Sequence, residues 1–177
     1  MQIQLKTEPQ GTYGLFEDVE LMVHLRKHLR LLATSLGTLP QAPSQNKVLG
    51  PPFMLTPFQV RYLQELGLVS QATTSESSFG YEVFKLLTSK FYYLKEGYKF
   101  GVDFLVYEGD PLVCHAKWLL LVQRTLTVQK LVELGRIANY SKKQLVVAYE
   151  HNSQVKLKLI RWTQLHQKRQ KPVPRVH

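Results

Sequence analysis

Residues 99–115 read KFGVDFLVYEGDPLVCH, and the rest of the chain is best read outward from them. Residues 102–107 have the apolar, β-branched and aromatic character of a strand. Residues 108–111 (EGDP) are turn formers, and a second strand-like run follows. Gly109 gives the backbone freedom and Pro111 fixes φ, so a tight reversal is expected. Side chains alternate along a strand. This places Asp103, Leu105 and Tyr107 on one face of the first run, and His115 and Lys117 on one face of the second. The reversal then brings Tyr107, at a strand end, near His115, at the start of the next strand. Both side chains titrate, which is the raw material of an acid/base pair.

Charge is distributed unevenly around this stretch. The 177 residues include 23 Lys/Arg and 13 Asp/Glu, a net charge of +10. Residues 1–80 hold six of each, so the entire excess lies in residues 81–177, the half that contains Tyr107 and His115. A basic face selects polyanions, with nucleic acid first among them. The competing reading is a solvated surface or a docking face for an acidic protein.

The apolar fraction of 44% is ordinary for a chain with a core, and the length suits one large or two small domains. No apolar run approaches the roughly 18 residues of a membrane span. The opening MQIQLKTEPQG lacks an apolar signal core, so secretion is not expected. The single cysteine, Cys114, cannot form an internal disulfide, which suits a reducing compartment, and it has no Cys or His neighbours at zinc spacing.

The chain in order gives a hairpin over 2–6 and 12–16, turning at 9–11. A helix capped by Asp18 should run to about residue 32, with Arg26, Lys27 and Arg30 outward or at its edge. His24 and His28 stand i,i+4 on it. That is also a metal spacing, but no third ligand is near, and a solvated face is the expectation. Residues 37–52 are rich in Pro and Gly and read as an ordered loop. A short strand at 53–55 leads to a helix opened by Thr56 and Pro57 and stopped by Gly67, with another strand over 68–73.

TTSESS at 73–78 is the strongest linker signal. The organisation expected is an amino-terminal domain over 1–73, a linker over 74–79, a second domain over 80–165 and a basic tail over 166–177. In the second domain a helix over 80–90 should bury Tyr81, Phe84, Leu87 and Phe91. A strand over 91–94 follows, then the two central strands. A helix over 128–138, capped by Thr127, should turn Val128, Leu131, Val132 and Ile137 inward. A last hairpin pairs 144–151 with 155–162. The fold class is α+β, a mixed sheet with helices packed on it, beside a small amino-terminal α/β domain.

Lys142-Lys143 falls between the last helix and a strand, where elements meet. A Tyr, a His and a Lys together suit attack of an RNA 2′-hydroxyl on its own phosphodiester. That reaction needs a base at the 2′-hydroxyl, an acid at the departing 5′-oxygen and a cation on the phosphorane oxygens. It needs no metal, and the acidic residues form no cluster in the sequence that would hold Mg²⁺. A Tyr base starts from a reference pKa of about 10 and would need cations to stabilise its phenolate. On spacing alone, packing roles for Tyr107 and His115 remain the commoner alternative.

Several motifs in order resemble the tRNA-splicing endonucleases. They are YEVF at 81–84, KFGVDFLVY at 99–107, GDP at 109–111 leading to His115, and Gly135-Arg136 leading to Lys143. In the amino-terminal half, GTLP at 37–40, APSQN at 42–46 and Leu49-Gly50 resemble the first domain of a eukaryotic catalytic subunit, the one assigned to the 3′ splice site. The position two before Lys143 is Ser141, where family members usually have an apolar residue.

The resemblance implies the following. Tyr107 corresponds to the general base, His115 to the general acid and Lys143, rather than Lys142, to the lysine that stabilises the transition state. The products are a 2′,3′-cyclic phosphate and a 5′-hydroxyl, with no cofactor. Arg136 and Trp162 correspond to a cation–π clamp on a substrate base, serving a neighbouring subunit's cleavage site. For Trp162, core burial is the competing reading. The implied partners are intron-containing pre-tRNA, a small structural subunit, and a second catalytic subunit with its own structural partner, forming a heterotetramer. Nuclear localisation is the expectation, with the cytosolic face of the mitochondrial outer membrane as the alternative. The alternative function is a non-catalytic RNA-binding or scaffold subunit of the same complex.

Overall fold

The computed structural model describes residues 3–9, 11–37, 50–70, 78–122 and 125–161. The amino-terminal hairpin forms as expected, β1 (Gln4–Glu8) pairing antiparallel with β2 (Gly11–Phe16). Asp18 caps α1 (Val19–His28), accepting from the Leu21 N–H at 3.0 Å. The helix ends four residues earlier than its periodicity suggested. Leu29 is its C-cap and Arg30 turns left-handed at φ 61°. The chain then forms the short strand β3 (Thr34–Ser35), which the sequence did not announce, and β4 (Phe53–Leu55). The four strands make an antiparallel sheet in the order β1-β2-β4-β3.

Thr56 and Pro57 open α2 (Pro57–Glu65) through a capping box: the Gln59 side chain accepts from the Thr56 N–H at 2.9 Å. Two helical orphans are thereby satisfied at once. Gln59 also donates to the Leu32 carbonyl at 3.1 Å, which is how an amide survives burial here. Gly67 at φ 71° ends the helix, with the Leu68 N–H returning to the Leu63 carbonyl. The strand expected over 68–73 is absent from residues 68–70, and its remainder, like most of the expected linker, lies outside the described residues.

Ser78 caps α3 (Phe79–Ser89), an amphipathic helix that buries Tyr81, Val83, Phe84 and Leu87. Phe91 does not join that face. It sits left-handed at φ 66° and is 70% exposed, closing the helix as the Tyr92 N–H bonds the Leu87 carbonyl. Then come β5 (Tyr93–Glu96), a 3₁₀ turn (Tyr98–Phe100), β6 (Phe104–Tyr107), β7 (Trp118–Val122), α4 (Val128–Tyr140), β8 (Gln144–His151) and β9 (Gln154–Ile160). The second sheet runs β5-β6-β7-β8-β9. All its pairs are antiparallel except β7 with β8, where α4 makes the crossover that a parallel pair requires. The last hairpin turns at Asn152 and Ser153, both at positive φ, as a type I′ turn demands.

Two apolar clusters flank this sheet. One holds Phe16, Phe53, Leu55 and Leu63 from the amino-terminal unit together with Phe84, Phe104, Val106 and Leu120. Phe58 of α2 is the hinge of that packing, its ring 5.9, 6.0 and 6.2 Å from Tyr81, Phe84 and Phe104. At about 1.5–3 kcal/mol for each fully buried large side chain, this shared core ties the two sheets together far more firmly than any surface ion pair would. The other cluster lies under α4, where Leu134 and Ala138 cover Leu105, Tyr107, Leu119 and Leu145. α4 therefore faces inward through Leu134, Gly135 and Ala138, while Val128, expected inside, is 77% exposed. Among the described residues no helix is long and apolar enough to cross a membrane.

Candidate active site

β6, β7 and β8 are consecutive in the sheet, and their register decides which ends meet. Val106 pairs with Trp118, and the Lys117 N–H bonds the Val106 carbonyl at 2.9 Å. Because β6 and β7 are antiparallel, the end of β6 lies at the start of β7. Trp118 pairs in turn with Gln144, and the Gln144 N–H bonds the Lys117 carbonyl at 3.0 Å. Because β7 and β8 are parallel, their starts lie together. Tyr107 closes β6, His115 stands three residues before β7, and Lys143 immediately precedes β8. The three predicted residues are thus brought to one end of one sheet, Tyr107 and Lys143 about 10 Å apart across two strand spacings. The Trp118–Gln144 side-chain bond, 3.1 Å from indole to amide oxygen, lies at the same end of the sheet, with Trp118 on the opposite face from Tyr107.

The reversal between β6 and β7 is not tight. Ten residues separate the strands, so His115 and Lys117 belong to a loop rather than to a strand face. Gly109 is not left-handed in it. Asp110 organises the turn instead. Its carbonyl accepts the Val113 and Cys114 N–H groups at 2.9 and 3.0 Å, and its side chain accepts the Leu112 N–H at 2.8 Å. An ion pair between Lys117 and Glu108 joins the loop's two ends. The first strand also starts later than its pattern implied, at Phe104. Asp103 still bonds both neighbours through its backbone, its N–H to the Leu120 carbonyl at 3.1 Å and its carbonyl to the Gly97 N–H at 2.9 Å, while its carboxylate accepts from the Val122 N–H at 2.6 Å.

The three side chains differ in exposure. Tyr107 is 4% exposed, packed beneath α4, and burial, with a smaller contribution from Cys114, pushes its phenol above the ordinary value. The expected lowering by neighbouring cations is not what its surroundings produce. His115 is exposed, open to a substrate. Lys143 is half-buried, its ammonium 5.6 Å from the Phe100 ring centroid and 3.1 Å from the Ser141 carbonyl. α4 ends in a Schellman motif: the Lys143 N–H returns to the Ala138 carbonyl, and Lys142 takes the left-handed position at φ 54°. That motif separates the doublet, leaving Lys142 exposed and turning Lys143 back toward the sheet.

Arg136 is exposed on α4, and Trp162 lies outside the described residues. His24 and His28 are both exposed with ring centroids 4.7 Å apart, and no group of three or more potential metal ligands occurs among the described residues. A cleft of about 730 Å³ between α3 and the β8–β9 turn, lined by Glu82, Lys85 and Glu150 among others, contains none of the site residues. It sits about 20 Å along β8 from Lys143.

Sequence reasoning missed one contact here. Arg26 of α1 binds Asp110 through both carboxylate oxygens, the Nε bond measuring 2.6 Å. The partners are 84 residues apart in the chain, and no local pattern signals their meeting. The bond to Arg26 holds the Asp110 carboxyl below the usual carboxylate range.

Two family models match the chain in tandem. Residues 78–157 match the tRNA intron endonuclease, catalytic C-terminal domain, and residues 3–72 match the TSEN34-like, N-terminal domain. The tRNA-splicing endonuclease of Saccharolobus solfataricus is 32% identical over 71 residues, which are 38% of this chain and 39% of that protein. The human tRNA-splicing endonuclease subunit Sen34 is 36% identical over 70 residues, 38% of this chain and 23% of the human protein. The tRNA-splicing endonuclease of Methanopyrus kandleri is 28% identical over 130 residues, 61% of this chain and 73% of that one. The chain therefore spans well under half the length of the first two relatives and about three quarters of the third.

Proposed function

Because the chain belongs to the tRNA-splicing endonuclease family, we propose that it is a catalytic subunit that cuts intron-containing pre-tRNA at the 3′ splice site. The observation that carries this reading is the register of β6, β7 and β8, which gathers Tyr107, His115 and Lys143 at one sheet end. In the reaction the 2′-hydroxyl of the nucleotide before the cut loses its proton to the phenolate form of Tyr107 as its oxygen attacks the adjacent phosphorus. His115 donates a proton to the departing 5′-oxygen, and the P–O5′ bond breaks. Lys143, fixed at its Cα by the Schellman turn, faces the charge that builds on the non-bridging oxygens. The products are a 2′,3′-cyclic phosphate and a 5′-hydroxyl, and no metal ion or cofactor takes part.

The exposure of His115 supports its role, since a general acid must reach a bulky leaving group. Arg136 and Trp162 would hold a substrate base for a neighbouring subunit's cut. The partners proposed are the pre-tRNA, a small structural subunit, and a second catalytic subunit with its structural partner. β9 is an edge strand of the second sheet with Leu157 and Leu159 about two-fifths exposed, which suits strand addition by a subunit. We place the complex in the nucleus.

One observation favours the second reading, a non-catalytic RNA-binding or scaffold subunit of the same complex. A buried Tyr107 that holds its proton is a poor base until something activates it. End-group analysis of cut pre-tRNA separates the readings. The proposal requires a cyclic phosphate at the 3′ splice site whose formation survives EDTA and depends on Tyr107, His115 and Lys143. The alternative requires that substituting all three leave that cut unchanged.

A further inference from the structure

The loop that presents His115 has little apolar anchorage of its own. Leu112 and Val113 are 53% and 85% exposed, although Pro111 is buried and Cys114 half-buried. Its shape rests on Asp110, whose carbonyl and side chain together bond three successive N–H groups, those of Leu112, Val113 and Cys114. His115 is the next residue. Asp110 is itself gripped by Arg26, through a guanidinium whose side chain is only 11% exposed, against 28% for the carboxylate. A planar fork on two carboxylate oxygens fixes orientation as well as distance, which a single-point lysine contact does not.

The other end of the fork is rigid. Arg26 follows Leu25, fully buried, and Leu21 and Met22 pack into the same core as Phe53 and Phe104. Arg30, two residues past the end of that helix, donates to the Tyr93 hydroxyl at 2.7 Å, and Tyr93 pairs with Tyr107 across β5 and β6. Arg30 also acts electrostatically on Asp110, and Asp110 on Lys95, so the carboxylate sits among three cations. From these contacts we propose that Arg26, on the amino-terminal unit, is a positioning residue for the cleavage reaction. Through Asp110 it sets the place of the loop that carries His115, so the amino-terminal unit governs the geometry of a site to which it contributes no reacting group.

This inference rests on the catalytic reading above, and its test keeps the two apart. The full chain, reconstituted with its partner subunits, is prepared as wild type, Arg26→Ala, Arg26→Lys, the exchange pair Arg26→Asp with Asp110→Arg, and His115→Ala. Three quantities are measured: kcat and KM for the 3′ cut, amide hydrogen exchange of Leu112 to His115, and thermal unfolding. Arg26→Ala should lower kcat about 100-fold, the scale of a misplaced catalytic group, with KM nearly unchanged, and the loop amides should exchange faster. Arg26→Lys, which keeps the charge but not the fork, should fall between and stay folded. The exchange pair should recover part of kcat.

If Arg26→Ala and Arg26→Lys stay within about twofold of wild-type kcat while His115→Ala is dead, the positioning role is wrong and the catalytic reading stands. If His115→Ala cuts like wild type, the catalytic reading falls and the loop exchange decides: unaltered protection of Leu112 to Cys114 in Arg26→Lys overturns the anchoring as well.

Discussion

Arg26 and Asp110 form a two-point ion pair between α1 and the loop after β6, 84 residues apart in the chain. It joins the amino-terminal unit to the segment between Tyr107 and His115. Because Arg26 holds the Asp110 carboxyl below its unfolded value, the pair's contribution is fully present above the unfolded pKa. It is lost as pH falls through the folded one. Asp110→Asn should therefore cost about 1–3 kcal/mol near neutral pH, and its deficit in Tm should shrink as the pH is lowered below about 4. A deficit that stays constant over that range would mean that Asp110 acts through its turn bonds alone.

Tyr107 predicts a second pH dependence, from a pKa shifted in the opposite direction. Burial first, and Cys114 second, raise its pKa, so the phenolate is scarce at neutral pH and grows as the pH rises. On a substrate with sulfur as the 5′-bridging atom, which leaves without a proton from His115, single-turnover cleavage should climb with pH on the alkaline side of neutrality. Tyr107→Phe should lower the rate by about 10²–10⁴-fold and flatten that climb. An unchanged profile in Tyr107→Phe would assign the base elsewhere.

The lysine doublet separates by conformation. Lys142 is exposed and left-handed at φ 54°, a conformation that costs an L-residue about 1 kcal/mol. Lys142→Gly should leave the protein as stable or slightly more stable, and still able to cut. Lys143→Ala should lower kcat by about 10²–10³-fold, as loss of a charge-stabilising donor does, with little change in Tm. Reversed effects would place the reacting lysine one residue earlier.

Gly97 offers a stability test remote from the reacting groups. A Cβ there would stand 2.6 Å from Val102 Cγ2 and 2.9 Å from the Val102 carbonyl oxygen. Its φ of −106° is open to any residue, so the cost is steric. The neighbour is backbone that cannot yield without moving the entry to β6. Gly97→Ala should destabilise by about 1–3 kcal/mol, read from urea unfolding, and a neutral result would show that this turn yields more easily than its packing implies.

Much of the fold is legible where local chemistry decides it. The caps Asp18, Ser78 and Thr127, the capping box at Thr56 and the stop at Gly67 all form where the residue types place them. The errors cluster where tertiary contacts override local pattern. Phe91 looks like the next rung of the α3 stripe, but the helix closes before it and leaves it in the left-handed turn. Val128 fits the α4 stripe, yet it opens the helix and stays exposed, while Leu134 and Ala138 farther along are buried. EGDP reads as a tight turn because Pro and Gly are present. The side chain of Asp110, pulled by Arg26, shapes a longer loop instead.

The candidate site was legible as a set of residue types and motifs, not as a geometry. Tyr107, His115 and Lys143 converge because α4 returns the chain to make β8 parallel to β7, and no single stretch of sequence states that. Helical spacing puts Arg26 outward or at the helix edge, but it does not say what meets that face.

The most direct test of the account is cleavage of an intron-containing pre-tRNA in EDTA by the reconstituted complex, carrying either wild-type His115 or His115→Ala. The expected result is that the substitution abolishes the 3′-site cut while the 5′-site cut and RNA binding persist. Retention of both cuts by His115→Ala would contradict it and assign this chain a scaffold or binding role.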